Sequence, residues 1–385
     1  MKRTRFFCMI NMMCCFLLAA STVFAQPERR GENFPDVAYS ASPTRIVELD
    51  MVKQVIGSPE FTEFFDALTA KIDQEYRKVS FQPGFPSPIA DVILGKVREA
   101  KGISKVSSKD VIELFFSEVE LIQLEAYLKK AYDAGVMVPN NPETGKYFRV
   151  TFVTKFSPAE LSGLLDILKP FAPVEMIKGE ENDFLVSIRD PNQSDVKLFL
   201  GGQKIEALDR YAVVFSLSRE MVEQKLTFMQ NERARRFMFG ENAAAKSLWV
   251  GKGFFEMMEA DTQKKIDAGN DNEKDTLRII KQVNFFSATT RDFDGKTGTR
   301  LRLVLADEKA VSDLKAMAEG GKAMLGFIAN SDNTDACLKK LIGLLQGVEI
   351  NQDGQSLTVA INWSDDELIQ LAKEGLKKAT AEIKK

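Results

Sequence analysis

The sequence predicts an α+β fold made of two related halves, each an antiparallel-rich sheet packed on one face by long amphipathic helices. Three observations carry this. Thr297-Gly298 turns the chain into an alternating strand with Leu301, Leu303 and Leu305 on one face. Asp307 and Glu308 then cap a helix whose apolar residues Val311, Leu314 and Ala318 fall at helical spacing. Thr144-Gly145 begins the same construction, with Phe148, Val150 and Phe152 alternating before Ser157-Pro158 and another helix; aligned at the Thr-Gly pairs, Arg149 matches Arg302. Finally, Tyr211 to Leu217 with Ser218, and Leu357 to Trp363 with Ser364, each read as a strand followed by a serine-capped helix.

The amino terminus reads as a secretory signal. Lys2, Arg3 and Arg5 precede the mostly apolar stretch Phe6–Ala20, and small residues lead to Ala25, after which cleavage is expected. The predicted organisation is residues 1–25 signal peptide, 26–43 flexible linker, 44–238 N-terminal half and 239–385 C-terminal half. Localisation is therefore expected to be periplasmic or extracellular, with no stable membrane span once the signal is gone. Cleavage also removes Cys8, Cys14 and Cys15. That leaves Cys337, read as a small core residue, and no internal disulfide.

Along the mature chain, Ile46, Val47 and Leu49 suggest a short strand. Ser58-Pro59 has the signature of a helix start, and Phe61, Phe64, Phe65, Leu68 and Ile72 continue it at helical spacing. Residues 89–100 read as a helix. Val111 to Ser117 forms the next element, whose Phe115-Phe116-Ser117 resembles Phe285-Phe286-Ser287, and Val119 to Ala134 reads as an extra helix of the first half. Strands are expected at 174–178, 184–189, 196–200 and 211–217. In the second half, Ser247–Val250 reads as a strand, 254–266 as a helix, and Asp294-Gly295-Lys296-Thr297-Gly298 as a hairpin turn.

Composition excludes more chemistry than it suggests. The chain of 385 residues contains no His, which removes the usual neutral-pH base and the commonest metal ligand, and with them a Ser-His-Asp or Cys-His mechanism within the chain. The formal charge is −3, and the mature part is more acidic still because the signal holds cations only. A nucleic-acid partner is not expected of such a surface. Gly240–Ser247 nearly spells a phosphate-binding loop, but Ala245 replaces its second Gly and the stretch leads into a strand. The acidic loops at 267–275 and 330–335 lack the full spacing of a calcium loop. Glu118 with Glu120, or Asp365 with Asp366 and Glu367, offer paired carboxylates, the second set explained by helix capping. Arg233, Arg235 and Arg236 beside Phe237 form a candidate patch for an anion or a partner, or the cationic end of a helix.

No catalytic, cofactor or metal residue is assigned. The expected function is an exported non-catalytic binding or scaffolding protein, whose partner is an unidentified protein or an apolar small molecule. The alternatives are a periplasmic carrier of a lipid or other apolar ligand, and a His-free carboxylate-based hydrolase.

Overall fold

The structure, a computed structural model, describes residues 35–80, 109, 112, 116–137, 141–156, 173–180, 183–190, 193–231, 244–270, 273–293, 296–329, 343, 347–362 and 366–384. The predicted signal, the Ser157 helix, the 89–100 helix, Arg233–Arg236 and Cys337 lie outside them. The chain folds as two compact units. The larger is Ser40–Ala245 with Ser364–Lys385, and the smaller is Met1–Tyr39 with Lys246–Trp363. Their borders depart from the expected halves at the C terminus, because the final segment packs with the larger unit.

Strand β1 (Val37–Ala41) spans the division between the units. It falls inside the stretch expected to be a flexible linker, residues 26–43. Val37, Tyr39 and Ala41 alternate, and the prolines at 35 and 43 bracket the strand instead of interrupting it. The larger unit continues with helix α1 (Pro43–Glu48), where a strand was expected. Pro43 occupies the first turn, and Ser42 Oγ accepts from the Arg45 amide at 3.3 Å. This cap and proline outweigh the β-branched Ile46-Val47 pair. Helix α2 (Asp50–Ile56) leads to α3 (Pro59–Ser80), whose predicted cap is present: Ser58 Oγ accepts from the Phe61 amide at 3.3 Å.

Strand β2 (Val119–Ala126) and the short helix α4 (Leu128–Asp133) replace the single helix expected over 119–134. Val119, Leu121, Gln123 and Glu125 are buried in strict alternation. With two polar residues in the buried register, the apolar residues alone gave a false helical period. Phe116 and Ser117 are helical whereas Phe285–Ser287 lie in a strand, so that short sequence match pairs unlike structures.

Strands β3 (Phe148–Thr154), β4 (Val174–Glu180), β5 (Asp183–Asp190), β6 (Gln193–Ile205) and β7 (Arg210–Ser216) complete the larger unit's sheet, in the order β2-β3-β7-β6-β5-β4, with antiparallel neighbours. Helix α5 (Arg219–Met229) follows, capped by Ser218 Oγ accepting from the Met221 amide at 3.4 Å. Alternation along the strands splits the core in two. On the α5 side, Leu121, Val153, Ala212 and Val214 pack with Val222, Leu226 and Met229. On the reverse side Phe184, Val186, Leu200, Tyr211 and Val213 form a second cluster.

The smaller unit places β8 (Lys246–Val250), helices α6 (Lys252–Asp267) and α7 (Lys274–Gln282), β9 (Val283–Phe293), β10 (Lys296–Leu305), helix α8 (Glu308–Ala329), β11 (Glu349–Asp353) and β12 (Ser356–Asn362) in sheet order β11-β12-β10-β9-β8-β1. Phe293 pairs with Lys296, so only two residues join β9 to β10; the hairpin expected over 294–298 is tighter than read, and Thr297-Gly298 lie within β10. Asp307 caps α8, its Oδ1 accepting from the Ala310 amide at 2.8 Å. Val283, Leu305, Val311 and Leu357 form this unit's main core. The last helix, α9 (Asp366–Ile383), belongs to the larger unit. It packs on α3, with Lys377–Glu60 at 3.1 Å and Lys384–Glu63 at 2.6 Å. Helices and antiparallel sheet together make the fold α+β.

Candidate functional site

The densest buried chemistry lies under α5. In β2, alternation puts Gln123 and Glu125 on the inner face. In β3 it does the same for Arg149 and Thr151, and the antiparallel register sets Glu125 opposite Arg149 and Gln123 opposite Thr151. Helix α5 brings Lys225 down on its apolar stripe, one position before Leu226 and three after Val222. The three charged side chains thus meet in the core: Arg149 is 7%, Glu125 5% and Lys225 1% exposed.

Their geometry is closed. Arg149 grips the carboxylate with two bonds, Nε to Oε2 at 2.7 Å and Nη2 to Oε1 at 3.1 Å. Lys225 Nζ stands 2.9 Å from the same Oε2 and donates to Gln123 Oε1 at 2.6 Å. Arg149 Nη1 donates to the Met221 carbonyl of α5 at 3.4 Å, and its guanidinium lies over the Tyr127 ring at 5.3 Å. Lys225 Nζ lies 5.4 Å from the Phe228 ring centroid.

The cluster carries two cations against one anion. Burial alone would raise the Glu125 carboxyl; Lys225 and Arg149 outweigh it and hold the group at about 2. Burial pushes the Lys225 ammonium below its ordinary value, and Arg149 repels it too, while Glu125 pulls the other way. For Arg149, burial is overcome by Glu125, and its affinity for the proton rises. Every charged group here is committed to another. The arrangement pins α5 to β2 and β3, as a strut does; beside it the buried Thr151 hydroxyl has no hydrogen-bond partner among the described residues.

The residues singled out in the sequence are not gathered here, apart from Arg149. Glu120 is engaged elsewhere, its Oε2 2.7 Å from Arg210 Nε, and Glu118 accepts from Ser117 Oγ at 3.3 Å. Asp366 is the first residue of α9. Lys246, the lysine of the near phosphate loop, opens strand β8 and is buried, which pushes its ammonium down to about 8. Glu125 and Lys225 were missed by sequence reasoning. The available signal was a charge lying on the buried stripe of each element.

The opposite face of the same strands is different. Ile122, Leu124, Val150 and Phe152 alternate with the buried charges, and Leu124 sits directly opposite Val150. Leu124 is 44% exposed, and Phe148, at the same sheet edge, 41%. Phe152 meets Phe215 of β7 edge-on at 5.7 Å between centroids.

Among the described residues no helix is long and apolar enough to cross a membrane, and no group of three His, Cys, Asp or Glu side chains is placed to hold a metal ion. No family model matches the chain, and no curated protein matches it. Among solved structures, it is similar to crystal form III of TP0453, with 9% identity, a TM-score of 0.33, and coverage of 88% of this chain and 94% of that one. Crystal form I of the same protein gives a TM-score of 0.32 and crystal form IV 0.34, each at 9% identity over 89% of this chain and over 94% and 93% of theirs. Likeness of this degree assigns no function.

Proposed function

We propose that the chain is an exported, non-catalytic binding or scaffolding protein that engages a protein partner through the apolar outer face of β2 and β3. One observation carries the reading. Leu124 and Phe148 are exposed on a sheet face whose Phe184 and Tyr211 are buried and whose Phe152 and Phe215 are half-buried, while the charges beneath those strands are paired with each other. Exposed apolar side chains gathered on one face mark contact surfaces. The basic start of the chain and the small residues ending at Ala25 support export. Duplication is part of the proposal. In each unit an antiparallel pair, β2-β3 or β9-β10, adjoins a strand, β7 or β12, that is followed in the chain by a helix, α5 or α9, although α9 itself packs in the larger unit.

A second reading, a carrier of a lipid or other apolar ligand, draws on the Phe152–Phe215 and Phe184–Tyr211 ring contacts of the same face. Native mass spectrometry of the chain purified from the envelope of its source cell separates the two. A protein complex that is lost in L124D/F148D supports the scaffold. A small-molecule adduct on the monomer makes the protein a carrier. A complex that persists unchanged in L124D/F148D overturns the assigned face.

A further inference from the structure

The central strands β9 and β10 of the smaller unit carry a second constellation, and its charges are not met by carboxylates among the described residues. On β10, Arg300 and Arg302 alternate onto one sheet face, roughly 7 Å apart along the strand. Across β9 they face Thr289 and Ser287, and across β12 they face Ala360 and Thr358. Among the described residues neither guanidinium is paired with a carboxylate. The acidic residue aligned with Arg300, Glu349 of β11, is separated from it by the whole of β12, roughly 10 Å.

Each arginine is held in place by neutral groups. Arg302 donates from Nε and Nη2 to Ser356 Oγ, at 3.2 and 2.9 Å, which leaves Nη1 uncommitted to that bond. The Arg300 guanidinium lies 3.8 Å from the centre of the Phe293 ring. Stacking fixes the plane of the fork and leaves its in-plane N–H groups for an acceptor. Gly298 makes this possible: a side-chain carbon there would stand 3.1 Å from Phe293 Cδ2 and 3.0 Å from Asn362 Oδ1. Opposite Arg302, Ser287 is fully buried and its hydroxyl has no hydrogen-bond partner among the described residues. Of the buried side-chain hydroxyls without a hydrogen-bond partner among the described residues, that of Ser287 is the one that stands opposite Arg302.

We propose that Arg300 and Arg302, with the Ser287 hydroxyl, form a binding site for a phosphate group. Two forks on one strand supply two positive charges to one tetrahedral oxyanion, where a single carboxylate would neutralise only half of them. The phosphate can belong to a soluble phosphate ester or to a lipid headgroup. The site belongs to the smaller unit and stands or falls independently of the scaffolding reading.

The test titrates the full chain with inorganic phosphate by calorimetry. In parallel, the chain is floated with phosphatidylcholine vesicles with and without phosphatidic acid. Wild type is expected to bind saturably. R300Q/R302Q should lose about tenfold or more in affinity, whereas K252Q/K309Q, which removes two exposed lysines of the same unit, should not change it. S287A keeps every charge, so its weaker binding separates a built site from diffuse attraction, and it keeps the test alive if the arginine double variant does not fold. Flotation that needs phosphatidic acid and is lost in R300Q/R302Q assigns the phosphate to a headgroup; phosphate binding without flotation assigns it to a soluble ester. Absence of binding in both assays, or equal binding by wild type, R300Q/R302Q and S287A, overturns the proposal.

Discussion

Replacing Glu125 by Gln and replacing Lys225 by Met should have very different costs, although both remove one charge from the same cluster. Gln at 125 keeps the shape but leaves Arg149 and Lys225 as two buried cations, 7% and 1% exposed, with no anion between them. Breaking a buried pair in this way costs about 3–5 kcal/mol. The depressed carboxyl leads to a similar figure: moving it from 4.5 to about 2 corresponds to about 3 kcal/mol at neutral pH. Met at 225 does the reverse. It removes the surplus cation and fills a similar volume, and it leaves the two-bond Arg149–Glu125 pair neutral and intact. Its cost is the lost donor to Gln123 Oε1 and the lost contact with Glu125 Oε2, about 1–2 kcal/mol each, offset by burying one charge fewer. E125Q should therefore be the more destabilising by at least about 2 kcal/mol. Urea unfolding of the full chain by far-ultraviolet circular dichroism measures the totals. Because the chain forms two compact units, amide exchange in β2 and β3 supplies the local readout. If K225M destabilises as much as E125Q, the surplus-charge argument is wrong.

Three further outcomes follow from the same packing. Glu125 is held below its unfolded value, so its contribution is fully present above about pH 4.5 and is lost as pH falls towards about 2; acid titration of E125Q should lack that component of the wild-type loss in β2–β3 protection. Gly201→Ala should loosen α5, because a Cβ there would meet Val222 Cγ1 at 2.6 Å and Leu226 Cδ1 at 2.8 Å, at a cost of about 1–3 kcal/mol in the denaturant midpoint of the larger unit. Ser218→Ala removes the α5 cap and should cost about 1 kcal/mol, with amide exchange accelerated first at the Met221 end of the helix.

Much of the smaller unit was legible because its local signals agree. The turn signal over 294–298, though longer than the turn itself, the alternation of Leu301, Leu303 and Leu305, and the Asp307 cap all point to one hairpin and one helix. In the larger unit the signals conflicted. Ser42-Pro43 and Ser58-Pro59 are the same helix start, yet Ile46-Val47 after the first pair suggested a strand; the cap decided. Val119 to Ala126 hid its alternation because Gln123 and Glu125 occupy buried positions that an apolar count skips. The C-terminal helix could not be assigned to its unit from sequence, since its partner α3 lies some three hundred residues earlier and amphipathic pattern does not name a partner.

The two arginines aligned in sequence by their Thr-Gly pairs separate a strut from an open charge, although Thr144-Gly145 lies in a 3-10 turn and Thr297-Gly298 within β10. Arg149 stands near the start of β3 and Arg302 towards the end of β10, but each faces a residue of the preceding strand. Opposite Arg149 stands Glu125; opposite Arg302 stands Ser287. A carboxylate on the neighbouring strand turns a buried arginine into a strut, because its charge and both ends of its fork are taken up internally. A hydroxyl in that position leaves the charge unmet, and a charge held by packing but not neutralised is available to an anion from outside. Had Glu125 and Lys225 been read as charges on buried stripes, their meeting would have been expected, since burial of either alone is prohibitive. Arg302 carries no such internal requirement, since Ser356 positions it without cancelling it. The difference between architecture and binding site here is one residue on the adjacent strand.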